Sequence, residues 1–298
     1  MKAMVYTEYG PPEVLQLKEV EKPAPKENEV LIKVHAASVN AGDWHILRGK
    51  PFLVRLMGKP KNGILGWDVA GRVEAVGGKV TQFQPGDEVF GWCTGAFAEF
   101  VCAPENDIAP KPAKLTFEEA AAVPVAAMTA LQGLKSRKEI QPGQKVAING
   151  ASGGVGPFAV QLAKSFGTEV TAVTSTGKVE QARSLGADFV IDYSKEDFTR
   201  AGKRYDRILA ANGNRSIFDY KRALKPDGIC VVTGGSMPQI FQAMLLGPLL
   251  SMAGKRKMGS LLLKPKKQDL LFIKELLEAG KLKPVIDRRY PLSALPEA

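Results

Sequence analysis

The sequence predicts an α/β protein with two domains, one β-rich and one built on a doubly wound parallel sheet. Three observations predict this fold class. Short strands separated by turns fill the first 115 residues. From Thr116 onward, apolar strands alternate with helices, which is typical of a parallel sheet covered on both faces. The length of 298 residues suits two domains, which we place at residues 1–118 with 260–298 and at residues 119–259.

The first domain contains short segments with the character of strands. Val30–Ala36 and Gly71–Gly77 alternate apolar and polar side chains, as strands with one buried face do. Pro85–Gly91 is a turn that leads into a strand, and Phe97–Val101 is a further strand. Strands at this spacing indicate a small barrel or sandwich.

The second domain begins with a capped helix. Thr116 and Glu119 have the capping-box spacing, and we expect the alanine-rich helix after them to break or kink near Pro124. Strands and helices then alternate in the order of a parallel sheet. The expected strands are Lys145–Asn149, Glu169–Val173, Phe189–Ile191, Tyr205–Ala210 and Gly228–Thr233, and the expected helices are Pro157–Lys164, Val179–Leu185 and Ser216–Leu224.

The last part of the chain adds two helices and a strand. Met237–Ala253 is rich in Met, Leu and Ile but shorter than the roughly 20 apolar residues that span a bilayer. We therefore predict a helix that is buried or faces another subunit. Lys267–Gly280 has the pattern of an amphipathic helix, and Val285–Tyr290 that of a strand returning to the first domain.

A glycine-rich turn lies at the centre of the second domain. Its residues are Gly150, Ala151, Ser152, Gly153, Gly154, Val155 and Gly156, between an apolar strand and a helix. Glycines let the backbone approach a pyrophosphate, whose charge then meets the N–H groups at the helix start. The glycine spacing is one residue longer than the common fingerprint, and an ordinary tight turn is the alternative. Because a second strand completes the βαβ unit, we interpret the turn as a dinucleotide site.

Charge and cysteine content narrow the function classes. The net charge is +10, with basic runs at 255–257, 264–267 and 288–289. A polyanion, an acidic membrane or nucleic acid would suit this charge, but a solvated basic face is the simpler explanation. Three separated cysteines give neither a disulfide framework nor a cysteine zinc site. With no signal-peptide pattern at the N-terminus, we expect a cytoplasmic protein.

Further motifs make the chain resemble a known family along its whole length. They are 39–43 (Val-Asn-Ala-Gly-Asp), 66–71 (Gly-Trp-Asp-Val-Ala-Gly) and 85–89 (Pro-Gly-Asp-Glu-Val), together with the glycine turn. The sequence resembles the zinc-free quinone oxidoreductase (zeta-crystallin-like) branch of the medium-chain dehydrogenase/reductase superfamily. The resemblance implies a GroES-like catalytic domain, a Rossmann NADPH-binding domain, a homodimer, and NADPH-dependent reduction of quinones or α,β-unsaturated carbonyls. That branch continues with a helix and a strand beyond the position of Ala298, and without them we expect an open sheet edge.

The zinc-dependent branch of that superfamily is excluded by residue type. Asn40 stands where that branch has a cysteine ligand, and 66–68 (Gly-Trp-Asp) where it has Gly-His-Glu. An indole cannot coordinate a metal, and an amide is a poor zinc ligand. We therefore predict no metal site. Without a Lewis acid, the enzyme suits acceptors that are already electron-poor, such as quinones and enones.

The resemblance places Asn40, Asp43 and His45 on the active-site loop, and we predict them as catalytic. Asn40 can hydrogen-bond the substrate carbonyl or the nicotinamide ribose, whereas Asp43 is as readily explained as a residue that holds the loop. His45 stands where the family often has Tyr, and is either a proton donor or a surface residue. His35 is more simply structural. Trp44, Phe52 and Trp67 are candidate pocket walls, or ordinary core residues.

The end of the second strand predicts a preference for NADPH. NAD-specific folds usually carry an acid there, but Val173 is followed by Thr-Ser-Thr-Gly-Lys at 174–178. Hydroxyls and an ammonium group suit a 2′-phosphate. By the resemblance, Ser175, Lys178 and Tyr193 contact that phosphate, and the remaining cofactor positions are Thr129, Asn212, Gly234 and Gly235.

Two other functions stay open at this point. One is a trans-acting enoyl reductase that works on thioesters. The other is a nucleotide-binding interaction protein, recruited to RNA or a membrane surface by its basic residues, that performs no turnover.

Overall fold

The computed structural model describes residues 1–50, 55 and 63–298, so the candidate pocket residue Phe52 lies outside the described residues. These residues divide into two compact units. Unit 1 consists of Met1–Val125, Pro265–Gly280 and Pro284–Ala298, and unit 2 of Ala126–Lys264 and Lys281–Lys283.

The elements follow one another along the chain as two groups. Before residue 140 they are β1 (Lys2–Val5), β2 (Gln16–Glu19), β3 (Glu29–Ser38), α1 (Ala41–Leu47), β4 (Asp68–Val76), β5 (Glu88–Trp92), β6 (Phe100–Pro104), β7 (Ile108–Pro110), α2 (Phe117–Ala121) and α3 (Pro124–Lys135). After it they are β8 (Lys145–Asn149), α4 (Val155–Ser165), β9 (Glu169–Thr174), α5 (Val179–Ser184), β10 (Phe189–Asp192), β11 (Tyr205–Ala210), α6 (Ile217–Ala223), β12 (Leu224–Val232), α7 (Met237–Met252), β13 (Lys257–Ser260) and α8 (Lys267–Glu278). Single 3-10 turns lie at Pro12–Val14, Glu105–Asp107 and Thr176–Lys178, and a longer 3-10 segment with a kink at Ala294 lies at Leu292–Glu297.

Unit 1 is built on an antiparallel sheet with the strand order β6-β3-β4-β5-β7, beside the small pair β1-β2. Inward-facing Val30, Ile32, Val69 and Val89 form part of its core. The strand expected at Val30–Ala36 is therefore confirmed within β3, and the one expected at Gly71–Gly77 is confirmed as part of β4, which ends at Val76. In register, Ser38 at the end of β3 lies opposite Asp68 at the start of β4, and this pairing positions a polar cluster described below.

The helix expected after Thr116 is confirmed, as is its interruption. The Thr116 hydroxyl accepts a hydrogen bond from the Glu119 backbone N–H (3.2 Å), and the Glu119 carboxylate accepts one from the Thr116 N–H (2.9 Å). The helix ends after Ala121, and a second helix begins at Pro124. Proline begins a helix well because it has no N–H to leave unpaired.

Unit 2 contains a six-stranded parallel sheet with the order β10-β9-β8-β11-β12-β13. Ala147, Ile208 and Val232, all buried, line its core. The predicted alternation of strands and helices is confirmed. The strand order reverses at β8, so the loops after β8 and β11 diverge at the carboxyl edge of the sheet, where ligands of such folds bind.

The prediction of a strand at Val285–Tyr290 is wrong. This segment has no regular secondary structure, and both Val285 and Tyr290 are exposed. Its alternation fits a strand, but a strand forms only where a neighbour supplies hydrogen-bond partners, and the preceding Pro284 has no N–H to donate. The helix expected at Met237–Ala253 is confirmed as α7. Within the described part of the chain, no helix is both long and apolar enough to cross a membrane.

Candidate dinucleotide site and a buried carboxylate cluster

The glycine turn of unit 2 contains glycines of two kinds. Gly150 has φ +85°, and a Cβ placed there would lie 2.7 Å from the Asn212 backbone nitrogen. A Cβ at Gly156 would lie 2.2 Å from the Gly150 carbonyl oxygen. These two glycines allow close approach within the fold. In contrast, a Cβ at Gly153 would meet nothing nearer than 3.8 Å, and one at Gly154 nothing within 4 Å. The open space outside the start of α4 is therefore at Gly153 and Gly154.

The turn is tied to the end of β9. The backbone N–H groups of Gly150 and Ala151 both donate to the Val173 carbonyl, at 3.1 and 3.0 Å. The Thr174 hydroxyl donates to the Ser152 hydroxyl at 2.8 Å. These bonds fix the start of α4 against the strand end that carries Ser175. An anion at the helix start would thus lie close to the hydroxyl-rich segment after β9.

A charge that sequence reasoning missed lies beside the segment after β9. Asp192, at the end of the neighbouring β10, accepts hydrogen bonds from the hydroxyls of Thr176 (2.6 Å) and Ser194 (2.7 Å). These hydrogen bonds lower the pKa of Asp192 to about 2, so it is ionised at neutral pH. Lys195 lies 3.7 Å from this carboxylate. Ser175 and Lys178 are half-buried, and Tyr193 is exposed.

Other predicted cofactor residues lie around the same edge. Asn212 contacts Gly150, as described above, and its side-chain oxygen accepts from the Gly213 N–H (2.8 Å). Gly235 has φ +106°, and a Cβ at Gly234 would lie 2.4 Å from the Ala211 carbonyl.

Thr129 lies on α3, one turn before Gly133. A Cβ at Gly133 would lie 3.4 Å from Thr233, which follows β12. Residues four apart share a helix face, so Thr129 lies on the same face of α3 as Gly133. Only 8 % of its surface is exposed.

In unit 1, a fully buried carboxylate binds the predicted residue Asn40. One oxygen of Asp68 accepts hydrogen bonds from the Ser38 hydroxyl (2.5 Å) and the Asn40 amide (2.9 Å). The other oxygen accepts from the Val125 backbone N–H at 2.8 Å. Burial raises the pKa of Asp68 to about 7, although these hydrogen bonds act in the opposite direction. The Asn40 amide group is therefore held by Asp68, which sequence reasoning did not assign.

Asp43 is buried and bound to backbone. Its two oxygens accept from the N–H groups of Asn40 (2.9 Å) and Gly66 (3.0 Å). Burial raises the pKa of Asp43 to about 6, against the effect of these bonds. Both oxygens thus connect the start of α1 to the segment before β4, as expected of a residue that holds the loop.

His45 lies on α1, half-buried beside Trp44, with ring centroids 4.7 Å apart. Its Nδ1 is buried with no hydrogen-bond partner within the described structure, and burial lowers the pKa of the imidazole. Trp67 packs on α1 at Gly42, where a Cβ would lie 2.1 Å from the indole. His35, in contrast, stacks on Phe117 at 4.2 Å.

Comparison with known proteins identifies the family of the chain. Residues 26–113 match the alcohol dehydrogenase GroES-like domain, and residues 185–298 match the family described as zinc-binding dehydrogenase. The "2-methylene-furan-3-one reductase" of Solanum lycopersicum is 36% identical, over 98% of this chain and 73% of its own length. The "Chloroplast envelope quinone oxidoreductase homolog" of Arabidopsis thaliana is also 36% identical, over 100% of this chain and 93% of its own. The chain belongs to the medium-chain dehydrogenase/reductase superfamily.

Within that superfamily, this dehydrogenase/reductase falls in the quinone oxidoreductase branch. The crystal structure of Escherichia coli quinone oxidoreductase complexed with NADPH superimposes with a TM-score of 0.86 at 26% identity, covering 100% of this chain and 94% of the other. Despite the zinc-binding name of the second matching family, the described residues contain no group of three His, Cys, Asp or Glu side chains that could hold a metal. Asn40 instead donates to Asp68, and Trp67 packs on Gly42.

Proposed function

We propose that the chain is an NADPH-dependent reductase of quinones or α,β-unsaturated carbonyl compounds. The observation that carries this proposal is the edge of unit 2, where an open helix start at Gly153 and Gly154 is hydrogen-bonded to the end of β9, which bears Ser175. Residues 174–178 include no acid, and the nearby carboxylate of Asp192 on β10 already accepts hydrogen bonds from Thr176 and Ser194. A relative of 36% identity named as a quinone oxidoreductase homolog, and a similar structure that holds NADPH, support the assignment.

The residues of unit 2 fit this cofactor. The N–H groups of Ser152, Gly154 and Val155 suit the pyrophosphate, whereas the Gly153 N–H donates to the Gly150 carbonyl within the turn (3.3 Å). Ser175, Lys178 and Tyr193 suit the 2′-phosphate. Thr129, Asn212, Gly234 and Gly235 are proposed to contact the nicotinamide half. The bound cofactor supplies a hydride.

The residues of unit 1 are proposed to act on the acceptor. The Asn40 amide nitrogen donates to Asp68, which fixes the orientation of the Asn40 side chain. Asp43 is proposed to hold the loop, because both its oxygens bind backbone N–H groups. His45 is the candidate proton donor. Burial lowers its pKa, which makes the imidazolium a stronger acid and also favours the neutral imidazole at neutral pH.

A panel of acceptors tests the proposed reaction. NADPH oxidation is followed with quinones, enones, saturated aldehydes and enoyl thioesters. We expect turnover with the first two classes and little with saturated aldehydes. Turnover confined to enoyl thioesters would favour a thioester reductase instead. Binding of NADPH without turnover of any acceptor would favour an interaction protein.

We also propose a homodimer formed through α7 and β13. The small residues Gly247 and Ser251 face inward, whereas Leu245, Leu249 and Met252 are 61–84% exposed on one helix surface. β13 lies at the edge of its sheet, with one side unpaired in the described strand order. A second copy would cover both features. Light scattering should give a molar mass of twice 32.1 kDa for wild type. Leu249→Lys should reduce this mass, and the control Leu17→Lys on β2 should leave it unchanged. A monomeric wild type contradicts the proposal.

For localisation, we propose a reducing compartment such as the cytoplasm. Cys93, Cys102 and Cys230 are all free, which suits such a setting. Cell fractionation decides between the cytoplasm and an organelle.

A further inference from the structure

A chain of buried polar side chains lies beneath the proposed cofactor edge of unit 2. Asn149, Tyr220 and Gln239 are 6%, 0% and 2% exposed. The Asn149 amide donates to the Tyr220 hydroxyl at 2.9 Å, and that hydroxyl donates to the Gln239 side-chain oxygen at 2.8 Å. We call these three residues the buried relay. None of them is used by the proposed reaction.

The relay connects three loops. Asn149 is the last residue of β8 and immediately precedes Gly150. The Gln239 oxygen also accepts from the Arg215 backbone N–H (3.0 Å), in the loop after β11. The Gln239 amide donates to the Gly234 carbonyl (2.8 Å), in the loop after β12. The glycine turn and both later loops are therefore joined through one hydroxyl and two side-chain amides.

Two glycines in these loops are shaped around the relay. Gly213 has φ +134°, and a Cβ there would lie 2.5 Å from the Asn149 amide nitrogen. Gly235 has φ +106°, and a Cβ there would lie 2.4 Å from the Gln239 amide nitrogen. Each loop thus passes so close to a relay amide that no side chain fits between them. A shift of either amide would move the loop against it.

The chemistry of each residue type is specific. The Tyr220 hydroxyl accepts from one amide and donates to another, which a phenylalanine cannot do. Burial raises the pKa of Tyr220, so the hydroxyl keeps its proton at neutral pH. The Gln239 side chain accepts at its oxygen and donates at its nitrogen. Removing one member leaves buried partners unpaired, which destabilises their positions.

We propose that Tyr220 and Gln239 are positioning residues for the dinucleotide, which set the glycine turn and the 212–215 and 233–236 loops in the arrangement that binds NADPH. This inference rests on the proposed function, because it takes NADPH as the ligand of that edge. It adds two residues that act through Gly150, Asn212, Gly234 and Gly235 rather than by touching the cofactor.

Two substitutions separate the arms of the relay. Tyr220→Phe keeps the ring and removes the hydroxyl that links Asn149 to Gln239. Gln239→Glu keeps the acceptor for Tyr220 and Arg215 but places a carboxylate oxygen against the Gly234 carbonyl. The matched control is Tyr205→Phe, an equally buried tyrosine at the start of β11, the opposite edge of the sheet.

The measurements are the Kd of NADPH by nicotinamide fluorescence, the KM values of NADPH and of a quinone, and Tm. We expect each relay variant to raise the Kd and KM of NADPH about tenfold, which corresponds to about 1.4 kcal/mol. The KM of the quinone should stay unchanged, and Tyr205→Phe should leave all three constants unchanged even where it lowers Tm. A purely structural role would lower Tm without this separation of KM values.

The outcomes are distinguishable. If wild type binds NADPH and both folded variants bind it equally well, the positioning role is overturned and the proposed function stands. If wild type binds no NADPH, the proposed function falls, and the positioning role falls with it. Should Tyr220→Phe fail to fold, Gln239→Glu decides the question alone.

Discussion

At the scale of single residues, the two kinds of glycine in the turn predict opposite mutant behaviour. Gly153→Val adds atoms where the nearest neighbour is 3.8 Å from the new Cβ, so we expect a normal fold and loss of NADPH binding. Gly156→Val would force its Cβ to within 2.2 Å of the Gly150 carbonyl, so we expect a destabilisation of about 1–3 kcal/mol or more. Urea unfolding and NADPH titration of both variants check this.

The control for these variants is Gly78→Val, whose Cβ would meet nothing within 4 Å in unit 1. This variant should change neither the free energy of unfolding nor the affinity for NADPH. A folded Gly153→Val protein with wild-type affinity for NADPH would show that the turn only shapes the chain.

Asp68 predicts a dependence of stability on pH. Its pKa is raised by burial from 3.8 to about 7 in the folded chain. Because the folded pKa lies above the unfolded one, the stability linked to its proton is fully present below about pH 4 and is lost as the pH rises through 7. Between pH 4.5 and 8 this loss amounts to about 3 kcal/mol. The side chain of the Asp68→Asn variant cannot ionise, so this variant should not lose stability in this way.

Urea unfolding of wild type and Asp68→Asn at both pH values isolates the effect, because other titrating groups cancel in the difference. The stability of wild type relative to the variant should fall by about 3 kcal/mol between pH 4.5 and 8. An equal pH dependence in the two proteins would mean that Asp68 keeps an ordinary pKa.

At the scale of elements, sequence patterns predicted the features that depend on residues close together in the chain. Strand alternation, the capping box at Thr116 and the break at Pro124 depend on neighbours in sequence, and all are found. Val285–Tyr290 carries the same alternation but no pairing partner, and pattern alone cannot supply one. Whether a pattern becomes a strand is decided by segments distant along the chain.

In the site, too, features set by neighbours in sequence were predicted, and features set by distant segments were not. The glycine turn was recognisable because strand, turn and helix are contiguous in sequence. The hydrogen bonds of Asp68 were not, because Ser38, Asn40 and Val125 lie 28 to 57 residues away. Only the pairing of β3 with β4 brings Asp68 to two of them. An acid directly before the apolar residues Val69 and Ala70 was the one available signal.

The segment after β9 predicts cofactor preference. A hydrogen bond to a charged group contributes about 1.5–3 kcal/mol. Lys178→Ala should therefore weaken NADPH binding about ten- to a hundredfold and leave NADH nearly unchanged. Lys195→Ala is the control, because Lys195 lies beside Asp192 at 3.7 Å. Titration of both cofactors against the three proteins checks this, and an equal loss for NADPH and NADH would assign Lys178 to the fold.

At the scale of the whole molecule, we expect folding and turnover to be independent of zinc. The matching family of residues 185–298 is described as zinc-binding, so name and residue chemistry point in opposite directions. Asn40 offers an amide and Trp67 an indole where the zinc-dependent branch has a thiolate and an imidazole. Neither the amide nor the indole is a good zinc ligand. The nearby carboxylates of Asp43 and Asp68 already accept hydrogen bonds from backbone and side-chain donors.

Protein treated with a strong chelator should accordingly keep its Tm and its rate of NADPH oxidation, and added zinc should raise neither. Elemental analysis of the purified chain complements this measurement. Zinc held at one ion per chain, with activity lost on its removal and restored on its return, would overturn the expectation. Zinc bound beside Asn40 would compete with the hydrogen bonds that Asp43 and Asp68 accept.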